Sequence, residues 1–249
     1  MNAGDITLLA AAGFVAGSLN GAAGGGSLVS FPAVLALGHS ALAANVTSTV
    51  GIWTGYLGGA AGYRRELADQ RDRVRALGPA CLLGSIAGAV LLLTTPASAF
   101  RAIVPYLVLV ASGLFAVQPF VAGRMAERRA EGSEHGRALQ AGVFVAAIYG
   151  AYFGAGLGVV LLAVLGILLA DDLHRLNGLR SVLAVVINFF ALVVYAAFAP
   201  VVWDAVGVLA VASLAGGYVG ARLARRLPAA CLRWGIVAFG FAIALRLLL

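Results

Sequence analysis

The chain contains no lysine, two cysteines and only ten carboxylates in 249 residues. Charged residues make up 11% of it, where a soluble globular protein has roughly 25%. So few polar groups cannot cover a water-facing surface, which excludes a soluble enzyme, a disordered tail and a nucleic-acid-binding domain. Cys81 and Cys231 lie in or beside apolar segments and show no disulfide or metal spacing. No acid falls inside an apolar run, and His39, His135 and His174 lie at segment ends or in loops. Asp171, Asp172 and His174 resemble a metal cluster superficially, but they are expected to be exposed loop charge. With no carboxylate pair, Ser-His-Asp set or ligand cluster, no catalytic residue, metal or cofactor is expected.

What is present is apolar length. Apolar residues make up 62% of the chain and mean hydropathy is +0.99. Six runs are long enough to cross a bilayer as helices: 42–63, 76–93, 100–120, 176–198, 205–221 and 232–249. Two longer stretches, 6–38 and 139–170, are each interrupted by glycines near the centre. The first interruption runs from Gly21 to Ser27 with Gly24, Gly25 and Gly26 in succession; the second carries Gly150, Gly154, Gly156 and Gly158. The N-terminal apolar stretch lacks the basic residues of a signal peptide and is taken as part of the mature fold.

The two halves repeat each other. Asn45 matches Asn177, Tyr63 matches Tyr195, Gly84 and Gly88 match Gly216 and Gly220, and Arg101 matches Arg233, all at an offset of 132. Gly24 and Gly26 match Gly154 and Gly156 at 130. The Gly-xxx-Gly pairs are expected to be positions of close helix packing.

The 17 arginines indicate how the halves are oriented. If every broken stretch crosses fully, the halves are parallel and the arginines divide 10 to 7 between the two sides. If each broken stretch is a re-entrant hairpin of two half-helices of 11–15 residues, the halves are inverted. Only Arg101 and Arg246 then fall outside, a 15 to 2 division that the positive-inside rule favours. The expected fold is an all-α polytopic membrane protein of two inverted repeats. Each repeat is a glycine-broken re-entrant hairpin plus three transmembrane helices. The first repeat covers 1–120, a basic cytoplasmic linker 121–138, and the second repeat 139–249. Both termini are placed outside a plasma membrane, the bacterial inner membrane.

Broken helices at membrane depth line a cavity or are buried by protein, and their free N-termini suit anions. After each break comes a polar cluster: Asn45, Thr47, Ser48 and Thr49 in the first half, Asn177, Arg180 and Ser181 in the second. Amide and hydroxyl donors suit an oxyanion, and Arg180 adds a charge. The alternatives are that the glycines serve packing alone, that the asparagines cap helices and the clusters make ordinary interhelical hydrogen bonds, and that Arg180 is an anchor reaching cytoplasmic water. Asn20, beside the first break, is a further candidate; Asn188 is expected to join helices.

The run from Gly17 to Pro32, followed by Ala44, Asn45, Val46, Thr47 and Ser48, resembles the sulfite exporter TauE/SafE family of membrane permeases. The resemblance extends over essentially the whole chain, although Ala155 interrupts the second glycine triplet and Leu162 stands where the first copy has Pro32. It implies transport of small sulfur-containing anions such as sulfite, sulfoacetate or other organosulfonates. The substrate-facing residues it implies are Gly24, Gly25, Gly26, Asn45, Thr47 and Ser48, with Gly154, Gly156, Asn177 and Ser181 as second-copy equivalents. The expected function is alternating-access transport, with a small anionic substrate and the lipid bilayer as partners and no nucleic acid. A carrier of another small metabolite or a cation, and a non-transporting membrane scaffold, remain alternatives. Homo-oligomerisation is left open.

Overall fold

The computed structural model describes residues 1–22, 24–127, 136–169, 171–223, 237–238 and 240–246. Among the described residues nine helices follow in order: α1 (Ala3–Ala22), α2 (Ser27–Ala36), α3 (Ala41–Gly62), α4 (Arg71–Thr94), α5 (Ala97–Glu127), α6 (Gly136–Tyr152), α7 (Leu157–Leu168), α8 (Leu173–Phe198) and α9 (Trp203–Leu223). Residues 237–238 and 240–246 are also helical, and among the described residues there is no strand. Residues 128–135 of the expected linker, and much of the expected span 232–249, lie outside the described residues.

Among the described residues five helices are long and apolar enough to cross a membrane: α1, α4, residues 97–114 of α5, α8 and α9. Large apolar side chains remain on the outside of these helices, as a lipid-facing surface requires. Val211 of α9 is 75% exposed, and Leu83 and Leu91 of α4 are also exposed. α3 has 22 residues but is less apolar, because protein surrounds it. Every residue from Ala43 to Ile52 is buried, including Asn45, Thr47, Ser48 and Thr49. Those polar side chains find partners or neighbours on other helices, so lipid never meets them.

The broken stretches depart from expectation in length. α1 has 20 residues and α2 ten, while α6 has 17 and α7 twelve. At 1.5 Å per residue α1 measures about 30 Å, enough to cross by itself. The expected half-helices of 11–15 residues were therefore too short for the first arms, because each break falls late in its stretch. After the break the chain doubles back: a Cβ on Gly26 would fall 2.3 Å from the Ala16 carbonyl of α1.

The glycine pairs pack helices across the two halves. A Cβ on Gly84 or Gly88 of α4 would fall 2.5 or 2.2 Å from the Phe144 or Ile148 carbonyl of α6. On Gly216 or Gly220 of α9 it would fall 2.1 Å from the Phe14 or Ser18 carbonyl of α1. Each half thus lays its Gly-xxx-Gly helix, parallel and in backbone contact, along the first arm of the other half.

The matching helices α3 and α8 run antiparallel. Val202, just beyond α8, donates its amide to Thr47 Oγ1 at 3.0 Å; Trp53 Nε1 donates to the Val185 carbonyl at 2.9 Å. At the other end, Gly178 packs on Tyr63 and Leu67. That end carries Arg64, Arg65, Arg73 and Arg175, and Arg222 follows Ala221, which packs on Gly62.

Candidate functional site

The two glycine breaks meet. The Gly158 amide donates to the Gly24 carbonyl at 3.1 Å, joining the α1–α2 turn to the start of α7. Gly24 and Gly154, at equivalent places, both have a left-handed backbone, with φ of +81° and +77°. Only glycine fits at Gly24, since a Cβ would lie 2.3 Å from Gly158 Cα and 2.8 Å from Arg180 Nη1. Gly154 approaches the other turn: its Cβ position is 3.5 Å from Ser27 Oγ and 3.8 Å from Thr49 Oγ1. α2 and α7 therefore begin side by side, and the positive ends of both helix dipoles converge on one junction.

Side chains hold the irregular backbone. Asn20 Oδ1 accepts from the Gly26 amide at 2.7 Å, which fixes the start of α2. Asn45 Nδ2 donates to the Tyr152 carbonyl at 3.0 Å, and the Tyr149 hydroxyl donates to the Ala155 carbonyl, which together close the end of α6. The Tyr195 hydroxyl donates to the Ala151 carbonyl one turn earlier. These bonds replace the intrahelical partners that a broken helix loses.

Arg180 enters this junction from α8. Its side chain is 0% exposed, and its one hydrogen bond is a long 3.5 Å contact from Nη2 to the Asn20 carbonyl. Among the described residues Nε and Nη1 have no hydrogen-bond partner, nor do Asn20 Nδ2 and Thr49 Oγ1, although all are buried. Among the described residues no carboxylate pairs with Arg180. An uncompensated buried cation costs several kcal/mol. Inside a membrane such a charge marks a functional position by default. With unused N–H donors, two helix N-termini and no acid, the junction is chemically suited to a small anion.

The sequence profile of the sulfite exporter TauE/SafE family matches residues 9–247. The chain belongs to the TauE/SafE family. No curated protein and no solved structure matches it. The family consists of membrane transporters, not enzymes, so this chain is a multi-pass membrane transporter.

The expected site residues of this TauE/SafE protein divide into two groups. Gly24, Gly26, Gly154, Asn45 and Arg180 come together at the junction, with Gly25 between the first two glycines. Ser48 is one step removed, its hydroxyl 2.5 Å from that of Ser30 on α2. Thr47 instead accepts from Val202 at the α8–α9 connection. Asn177 donates to the Leu173 carbonyl of its own helix, and its own carbonyl accepts from Ser181 Oγ. Gly156, with φ of +79°, faces Ala111 and Leu114 of α5; Gly158 is the residue that meets Gly24. Capping by the asparagines is overturned, because Ser40 and Asp172 cap α3 and α8 several residues upstream, whereas the interhelical-bond part of that alternative holds for Asn45, which donates to the Tyr152 carbonyl of α6. The surface-anchor alternative for Arg180 fails on its complete burial. Tyr149 is the junction residue the sequence did not single out; Thr49 belongs to the first polar cluster, and Tyr195 stands out only as the repeat match of Tyr63.

At the basic end an ion-pair cluster links the two halves. Asp171 pairs with Arg73 and with Arg175 (2.8 Å), and Arg175 pairs with Asp69 (2.8 Å). Buried Gln70 donates to the Arg175 carbonyl at 2.9 Å. Burial raises the Asp171 carboxyl, but hydrogen bonds from Arg73, the Asp172 amide and Arg175 outweigh it and hold the group below the usual carboxylate range. The Arg175 hydrogen bond likewise holds Asp69 low. Asp171 is therefore a paired residue, with its side chain only 12% exposed, and not the free loop charge expected.

Proposed function

We propose that this transporter carries small sulfur-containing oxyanions (sulfite, sulfoacetate or other organosulfonates) by alternating access between two inverted repeats. The observation that carries this reading is Arg180: a wholly buried guanidinium with unused donors, set beside two helix N-termini with no acid among the described residues to neutralise it. A sulfonate or sulfite group offers oxygens to the unused Nε and Nη1 donors through charge-assisted hydrogen bonds. Asn20 Nδ2 and Thr49 Oγ1 are the next donors. Gly24, Gly25, Gly26 and Gly154 let the anion approach the backbone.

A cation would meet the wrong end of both helices here, and a scaffold needs no charge buried at such cost. Support for inverted repeats comes from antiparallel α3 and α8, from the reciprocal α4–α6 and α9–α1 contacts, and from arginines gathered at one end. In this reading the division is 1–120, 121–138 and 139–249, the basic end faces the cytoplasm, and both termini lie outside the plasma membrane of a bacterial cell.

The test is flux of labelled sulfite, sulfoacetate and taurine into proteoliposomes across an imposed gradient. Saturable flux of at least one anion, lost in R180Q while the protein stays folded, is expected. Absence of flux for all three removes the assignment.

A further inference from the structure

We propose that the transporter has a second anion site, a capture vestibule at the end opposite the ion-pair cluster. A cavity of about 720 Å³ opens there, and among its lining residues are His39, Ser40, Ser98, Arg101 and Arg246. The proposal rests on the oxyanion-carrier reading, which it deepens by giving the substrate a place to collect before it reaches the junction.

The arginines carry the argument. Of 17 in the chain, 15 are assigned to the cytoplasmic side by the two-repeat topology, and only Arg101 and Arg246 to the other. Both line this one cavity, although they lie 145 positions apart in the chain and come from opposite halves. Two like charges on a face poor in charge repel each other, and among the described residues neither pairs with a carboxylate. Among the described residues no acid lines the cavity. An oxyanion bridging the guanidiniums removes the repulsion and uses their forked donors.

Two helix starts add to the field. α3 begins at Ala41 behind its cap Ser40, and α5 begins at Ala97 beside Ser98; all four residues line the cavity. The volume lies within the range of small-molecule sites. The route inward is short. Leu35, near the end of α2, borders the cavity, and α2 begins at the junction, so the two sites are separated by about 15 Å, one ten-residue helix. A positive, low-dielectric mouth raises local anion concentration by focusing the field, which acts on capture and leaves the chemistry at Arg180 untouched.

The experiment uses the full chain in nanodiscs and compares wild type with R101Q/R246Q, R101K/R246K and R180Q. Sulfoacetate binding is followed by calorimetry at low and high salt. R180Q is expected to retain a salt-sensitive binding event; R101Q/R246Q weakens that event by about tenfold or more, and the lysine pair restores most of it. Binding unchanged in R101Q/R246Q, or no sulfoacetate binding by R180Q or wild type, overturns the vestibule. A lipid phosphate has the same chemistry, so bound phosphatidylglycerol is counted in parallel by native mass spectrometry. Loss of that lipid in R101Q/R246Q with sulfoacetate binding intact overturns substrate capture and assigns the arginines to the bilayer. Should wild type move no anion in liposomes yet lose sulfoacetate binding through R101Q/R246Q, the carrier reading fails and the capture site stands.

Discussion

Arg180 and Gly24 come from opposite halves of the chain, yet a Cβ on Gly24 would lie 2.8 Å from the guanidinium. Arginine and glycine depend on each other here. The glycine leaves the space that brings the charge against the broken backbone, and in the proposed function that charge is what holds the anion.

The first prediction concerns that charge. R180M removes a buried cation whose desolvation costs several kcal/mol, so the variant unfolds at the same temperature as wild type or higher. Its anion flux falls by about a hundredfold or more, as expected when a charge-assisted contact worth about 3 kcal/mol is lost. Thermal unfolding in detergent and flux in liposomes measure the two effects separately. A stability loss that parallels the flux loss would assign Arg180 to the fold instead.

G24A tests the close approach. Alanine there must adopt φ near +81°, at a cost of about 1 kcal/mol, and its Cβ meets Gly158 Cα at 2.3 Å. Flux is expected to disappear and the unfolding temperature to fall. G207A is the control: Gly207 lies inside α9 with nothing within 4 Å of a Cβ, so alanine there is neutral or stabilises by up to about 1 kcal/mol.

G88V and G220V probe the reciprocal helix contacts. Each side chain would press on a carbonyl at 2.2 or 2.1 Å, Ile148 on α6 or Ser18 on α1. Each is expected to destabilise by about 1–3 kcal/mol, the usual cost of overpacking. Equal losses from the two variants fit equivalent roles for the two halves; a tolerated valine at either position contradicts the packing.

The ion pairs at the basic end make a pH prediction. Asp69 and Asp171 have depressed carboxyls, so the stability they give is present above the ordinary carboxylate pKa, near 4, and is lost as pH falls through their lower native values. Hydrogen exchange of the 63–70 loop, corrected for intrinsic rate, is expected to stay flat from neutrality to about pH 4 and to rise below it. D171N brings that rise to neutral pH, by up to about fivefold for a partly exposed cluster. Exchange indifferent to D171N means the cluster does not hold the halves together.

Much of this was legible in the sequence because the chain says it twice. Gly24 and Gly154 were marked by the repeat, and both proved to hold left-handed turns at the junction. Gly84, Gly88, Gly216 and Gly220 were expected at close helix contacts and lie there. What the sequence did not disclose depends on helix length and rotation. Arg180 lies two turns into α8, near enough to its start to suit a surface anchor, and only the tertiary packing at the junction takes away its water. Asn45 and Asn177 suited helix caps because the earlier caps, Ser40 and Asp172, lie outside the apolar runs. Thr47 sits beside Ser48 in sequence, but on a helix neighbours point apart, so it reaches Val202 while Ser48 reaches Ser30.

The most direct test of the central claim is to locate the anion itself. Selenite, the heavier analogue of sulfite, can be soaked into crystals of the full chain and found by its anomalous signal. The account predicts a peak within hydrogen-bonding distance of Arg180 Nε or Nη1, beside the Gly24–Gly158 contact, that is absent in R180Q crystals soaked in the same way. Selenite that binds elsewhere while the Arg180 junction stays without a peak, or a junction peak that persists in R180Q, would contradict it.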